Sequence, residues 1–132
     1  MVVVTTPAVA AQKVAVRVAD MARRSYLKVL GVIENMSSFT CDHGETYPLF
    51  GVGGGQTLAT DIGAPLLGRI PLEPAVSLAN DAGTPLAVAS PGSAAGAVFA
   101  AIANRIADEL LPPVDMAGCT ARMLAAVEQA LG

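Results

Sequence analysis

Three short apolar runs constrain this chain more than any other feature. Val2-Val3-Val4 and Val29 to Ile33 show no polar alternation, which marks strands buried on both faces, as in a parallel sheet. Pro65 to Ile70 reads as a third strand. Between the first two runs lies a helical pattern: Thr6 can cap it, Pro7 suits its first position, and it extends to about Arg24. Lys13, Arg17, Asp20 and Arg24 share one face of that helix, and Val14, Val18 and Met21 share another, which is expected to cover the sheet. Gln56 to Ile62 reads as a helix closed by Gly63, and Pro71-Leu72-Glu73-Pro74 starts another ending near Gly83. Leu86 to Ala89 is expected as a short fourth strand, and Ser93 to Leu111 as one long Ala-rich helix. Strands alternating with helices imply right-handed crossovers and a mainly parallel α/β sheet. Its first strand begins at Met1, and that strand is expected to need neighbours which these 132 residues do not supply.

Residues 1–111 form the expected α/β portion. Pro112-Pro113 is a hinge, and residues 112–132 form a tail with a separate amphipathic helix over Ala117 to Leu131. The chain is 53% hydrophobic with no Trp, and only 14% of it is charged, against about 25% in an ordinary soluble domain. So apolar a chain buries nearly everything or covers part of its surface with something else. A net charge of -3 and a pI of about 4.9 give no electrostatic pull toward nucleic acid or anionic lipid. The longest uncharged stretch, Thr84 to Asn104, is broken by Pro85, Pro91, Gly92 and Gly96, against a membrane span. Without a secretory signal or a disulfide framework, a cytoplasmic chain with Cys41 and Cys119 both reduced is expected.

The stretch from Ser37 to Phe50 reads as an irregular insertion with β-ribbon character, its tip at Asp42-His43-Gly44-Glu45. Cys41 and His43 stand two apart with no second cysteine nearby, so one chain cannot build a four-ligand soft-metal site there. Two chains meeting at a symmetry axis could offer two thiolates and two imidazoles; otherwise the stretch is a polar hairpin tip. The run Gly51-Val52-Gly53-Gly54-Gly55 is not a Walker phosphate loop, because neither Lys13 nor Lys28 follows a glycine, and Gln56 stands where a dinucleotide fingerprint needs its third glycine. It reads as a flexible turn into a helix start, where an anion or partner contact stays open. Asn35 ends the second strand, where open α/β sheets bind ligands, and its amide suits an adenine edge as well as a simple turn. Pro71 stands at the next strand end, as a turn residue or a rigid flank for a base. Cys119, alone on its helix, reads as a packing residue.

Taken in order, "VVVTTPAVAAQKVAVRVADM", "LGVIENMSSFTC", "FGVGGGQTLA" and "PLLGRIPLEPAV" resemble the C-terminal half of the Mrp (ApbC) family of iron–sulfur cluster carrier P-loop ATPases, over about Val2 to Ala107. The resemblance implies a partial P-loop NTPase fold, the first half of the domain with its phosphate loop being absent. In that family a Gly-Lys-Gly-Gly-Val-Gly-Lys-Ser loop and an Asp-x-Pro-Pro-Gly-Thr-Gly-Asp segment precede the "VTTP" strand. What is similar here is the base-side wall for ATP, with Asn35 at the adenine-facing position and Pro71 in the turn that lines the base. The family's cluster cysteines form a C-x-x-C after "ENMS", and pairs from two subunits bridge a 4Fe–4S cluster. Cys41 aligns with the first; the second is missing, and His43 is its candidate replacement.

The resemblance therefore implies a portion of a carrier ATPase that binds clusters across a homodimer and passes them to acceptor apoproteins, inactive as an ATPase by itself. The competing expectation is a non-enzymatic interaction module, or a remnant with neither activity. A third is an ATPase of the same superfamily that positions cargo other than clusters.

Overall fold

The computed structural model describes residues 1–111. The tail helix expected over Ala117 to Leu131, and Cys119 with it, lie outside the described residues. Strands β1 (Val2–Thr5), β2 (Gly31–Asn35) and β5 (Leu66–Ile70) form one parallel sheet in the order β1-β2-β5. Between β2 and β5 in sequence, β3 (Phe39–Thr40) and β4 (Thr46–Tyr47) pair antiparallel as a small separate ribbon. The helices are α1 (Val9–Arg24), α2 (Gly54–Ile62), α3 (Pro74–Asp81), α4 (Leu86–Ala89) and α5 (Ala94–Arg105), and α5 runs into a π-helical turn, Ile106–Leu110.

Two apolar layers hold the sheet. On one face α1 and α2 pack over β1 and β2, around Val3, Ala19, Val32 and the fully buried Leu58. On the other, α4 and α5 cover β5 around Leu67, Ile70, Leu86 and Ile102. Burial on both faces, expected of both apolar runs, is approached in β2, whereas β1 alternates, with Val3 and Thr5 buried and Val4 58% exposed because no further strand or helix covers it among the described residues. Side chains also tie helix ends: the Arg23 guanidinium donates to the carbonyl of Ile62 at the C-terminus of α2, where the helix dipole favours a cation. Arg105 Nη1 donates to Leu66 O at 2.8 Å, fastening α5 to the start of β5.

Several expectations need correction. Leu86–Ala89 is a short helix, not a fourth strand, so the parallel sheet has three strands among the described residues. The helix expected to begin at Pro7 starts at Val9, with Ala8 at the N-cap position and no side-chain cap, so Thr6 does not serve as one. The second strand runs two residues further along than its apolar run suggests, and so includes Glu34 and Asn35. The face of α1 that covers the sheet is not Val14, Val18 and Met21. The buried stripe is Ala15, Ala19 and Ala22, whose small side chains let α1 approach the layer beneath; Val14 and Met21 are well exposed. The long helix expected from Ser93 divides at Arg105 into α5 and the π-helical turn. Ser93 does cap it, its Oγ accepting the Gly96 N–H at 3.0 Å.

Candidate functional site

The C-terminal ends of β2 and β5 lie side by side, Asn35 in register with Ile70. The pairing continues past both strands: Ser37 N–H and Ser37 Oγ both donate to Ile70 O, at 3.0 and 3.1 Å, and Leu72 N–H donates to Ser38 O at 2.7 Å. These bonds bring Asn35 and Pro71 together on one cleft of about 260 Å³, whose wall is completed by Ser77 and Asn80 of α3. Asn35 Oδ1 accepts the Met36 N–H at 3.0 Å, which holds Met36 at a φ of 55°. That bond uses one of the two lone pairs of Oδ1, and the amide NH₂ offers two further donors. Glu73 also lines the cleft, but its Oε1 accepts the Ala95 N–H at 3.1 Å and so anchors the start of α5. Ser77 and Asn80, three apart on a helix, went unnoticed in the sequence; their spacing on one helical face was the available signal.

Beyond Ser38 the chain leaves the sheet as the β3–β4 ribbon. Cys41 N–H donates to Glu45 O and Gly44 N–H to Cys41 O, both at 2.9 Å, closing the turn with Gly44 at a φ of 84°. Cys41 is a free thiol, partly exposed, and His43 is exposed at the tip. No three metal-ligating side chains gather anywhere among the described residues. At the base of the ribbon the Tyr47 hydroxyl donates to the Glu45 carboxylate, which raises the Tyr47 pKa above its ordinary value.

The glycine run is a packed joint, not a flexible turn. Gly53, at a φ of 75°, is the N-cap position of α2. A Cβ on Gly54 would stand 2.4 Å from Pro7 O, and one on Gly55 would stand 2.5 Å from Glu34 Cβ. The Gly55 N–H donates to Glu34 Oε2 at 2.5 Å, and Arg69 Nε stands 3.4 Å from Glu34 Oε1. An internal carboxylate thus occupies the start of α2, the place where an outside anion was left open. Glu34, only 2% exposed, was invisible as a site residue in the sequence; its one signal was an acidic residue ending an apolar run.

A parallel sheet between helical layers, with a polar cleft at its strand ends, defines an open α/β protein of the class that takes ligands at that edge. Solved structures agree on the fold. The septum site-determining protein MinD from Pyrococcus horikoshii, complexed with Mg-ADP, superposes with a TM-score of 0.65 at 22% identity, over 83% of this chain and 41% of that one. A nucleotide-binding protein from Archaeoglobus fulgidus in complex with ADP gives a TM-score of 0.54 at 27% identity, over 86% of this chain and 41% of that one. The sequence narrows the class: residues 1–107 match the family described as ParA, NUBPL iron-transfer P-loop NTPase, and the chain belongs to it. It is 44% identical over 110 residues to the iron-sulfur cluster carrier protein of Mycobacterium tuberculosis, covering 79% of this chain and 29% of that protein. It is 40% identical over 107 residues to the human cytosolic Fe-S cluster assembly factor NUBP2, covering 80% of this chain and 40% of the relative. The chain thus spans well under half the length of these relatives.

Proposed function

We propose that this chain is the cluster-loop and base-side portion of an iron–sulfur cluster carrier. Two chains hold one 4Fe–4S cluster between their hairpin tips, each giving Cys41 and His43, and pass it as cargo to acceptor apoproteins in the cytoplasm. Adenine of ATP sits between Asn35 and Pro71. The observation that carries the reading is the common origin of the two parts. The hairpin bearing Cys41 and the cleft lined by Asn35 and Pro71 spring from the same pair of strand ends, cross-bonded through Ser37, Ser38 and Leu72. The names of the relatives and the iron-transfer family support the cargo.

The donor set fits a shared cluster. Two thiolates and two imidazoles make four ligands, and imidazole replaces thiolate on iron in some iron–sulfur centres. Thiolate is the softer and stronger ligand for iron, so Cys41 supplies the firm side of the site and His43 the weaker one. For the nucleotide, the Asn35 NH₂ donates to a ring nitrogen and Pro71 flanks the base. The phosphates and their Mg²⁺ find no lysine-bearing loop in this sequence.

Anaerobic reconstitution with iron and sulfide tests the proposal. The expected result is a visible-absorbing species with four irons per two chains and dimerisation that rises with iron content. Iron-free protein after reconstitution overturns it. The exposed apolar flank formed by Val4 and Val14 would then favour the interaction-module reading.

A further inference from the structure

Glu34 is the one acidic side chain among the described residues that is nearly sealed from solvent, and three elements converge on it. It lies on β2, in register with Arg69 of β5, and its carboxylate reaches both Arg69 and the first turn of α2. Burying a carboxylate is costly unless charge and hydrogen bonds compensate it. Here the Gly55 N–H, the positive end of α2 and the Arg69 guanidinium all do so. Gly55 carries no side chain, and its backbone seats directly on Glu34.

The placement matters because of what lies between the two partners. The chain from Glu34 to Gly55 leaves the sheet, forms the ribbon with Cys41 at its tip and returns. Its outgoing root is fixed by Ser37 and Ser38 against Ile70 and Leu72. Its returning root is fixed by Gly55 on Glu34, with Gly54 against Pro7. Asn35 of the base cleft is the residue next to Glu34. We propose that Glu34 is a positioning residue that sets the Cys41 hairpin against the strand end bearing Asn35, by holding the Gly55 amide while Arg69 balances its charge. The inference deepens the carrier reading and rests on it for the iron-dependent part of its test.

Three variants of the full chain separate the contributions. Glu34→Met removes the acceptor. Glu34→Gln keeps an oxygen for Gly55 but turns an NH₂ toward Arg69. Glu34→Gln combined with Arg69→Met removes that repulsion and leaves the Gly55 bond intact. Hydrogen exchange, read by mass spectrometry, should be about tenfold faster over residues 51–58 in Glu34→Met, with residues 29–33 unchanged, the size expected for a lost hydrogen bond to a charged group. Iron release to a chelator should quicken by a similar factor. The double variant should return both rates to within about twofold of the parent, a rescue expected only of a local coupling. Parent-like exchange over residues 51–58 in both Glu34 variants overturns the proposal. So does an equal rise over residues 29–33, which would make Glu34 a general core residue. If Glu34→Met does not fold, the comparison of Glu34→Gln with the double variant decides alone, and absence of rescue overturns the proposal. If the parent binds no iron, the carrier reading fails while the exchange data still judge the positioning role.

Discussion

Asn35 turns its side-chain oxygen onto its own neighbour: Oδ1 accepts the Met36 amide at 3.0 Å, in a residue that also lines the cleft shared with Pro71. A base bound there is expected to be read by the Asn35 amide. Since this sequence has no lysine-bearing phosphate loop, adenosine and ATP should bind the 132-residue chain with affinities within about twofold of each other. Asn35→Ala should weaken both by up to about tenfold, the value of one neutral hydrogen bond. Titration followed by chemical-shift changes at Asn35 and Ser77 checks this. A strong preference for ATP would mean that the chain contacts the phosphates after all.

The same missing lysine predicts no hydrolysis by this polypeptide alone. Lys13 and Lys28 are both exposed, the one on α1 and the other in the loop before β2, and neither follows a glycine. Charge developing on a transferred phosphoryl group is then left without its usual stabiliser. Phosphate release from Mg-ATP should match the protein-free control. Magnesium-dependent turnover that co-purifies with the chain through successive columns would refute this.

An apolar flank remains beside β1. Val4, Val14 and Met21 are each 58–60% exposed, and the groove of about 430 Å³ along β1 and α1 has no charged side chain in its lining. Open strand edges and apolar patches recruit other chains. The purified polypeptide should therefore self-associate. Val4→Lys with Val14→Glu should shift it toward monomer, at little cost in stability because both positions are exposed. Sedimentation velocity decides; a parent that is already a monodisperse monomer contradicts the prediction.

That flank also shows where the sequence was readable. The apolar runs made the parallel sheet legible, although Val4 of the first run is exposed, and Gly63 marked the helix end it closes. The packing face of α1 was misjudged because two adjacent stripes share the helical period. Hydrophobicity favours the Val14 stripe, while close packing selects Ala15, Ala19 and Ala22. Leu86 to Ala89 was misassigned because four apolar residues carry too little periodicity to separate a strand from a helix. Of the candidate site, local pattern marks Asn35 and Pro71 only as separate strand-end residues, and it is the family resemblance that puts both on one base-side wall. Their meeting depends on the register of β2 with β5, which no local pattern records. Glu34 was missed because its role comes from Gly55 and Arg69, distant in sequence.

The glycines give a stability prediction that separates contact from conformation. Gly55→Ala forces a Cβ into Glu34, at an expected cost of about 2 kcal/mol. Gly63→Ala meets nothing within 4 Å but keeps a φ of 64°, at an expected cost of about 1 kcal/mol. Thermal melts should rank parent, Gly63→Ala, Gly55→Ala in falling order. Faster exchange over residues 51–58 should accompany only Gly55→Ala. Equal melting points would mean that the α2 start yields to the added methyl.

The ligand assignment at the hairpin tip makes the sharpest demand. One chain holds a single cysteine and a single histidine there, and no third ligating side chain joins them among the described residues. The proposed cluster is one that two chains share. Thiolate is the softer and stronger partner for iron, so Cys41→Ala should abolish iron uptake on reconstitution. His43→Ala should lower iron content or alter the absorbance spectrum, because nitrogen ligation changes the electronic character of the iron it binds. Cys119→Ser should leave uptake unchanged. Mixing parent chains with Cys41→Ala chains should give cluster content that falls with the square of the parent fraction, since a heterodimer lacks one thiolate. Parent-level iron in Cys41→Ala would remove Cys41 from the ligand set and leave the hairpin a polar tip. A linear fall in the mixing experiment would show that each chain holds its iron alone.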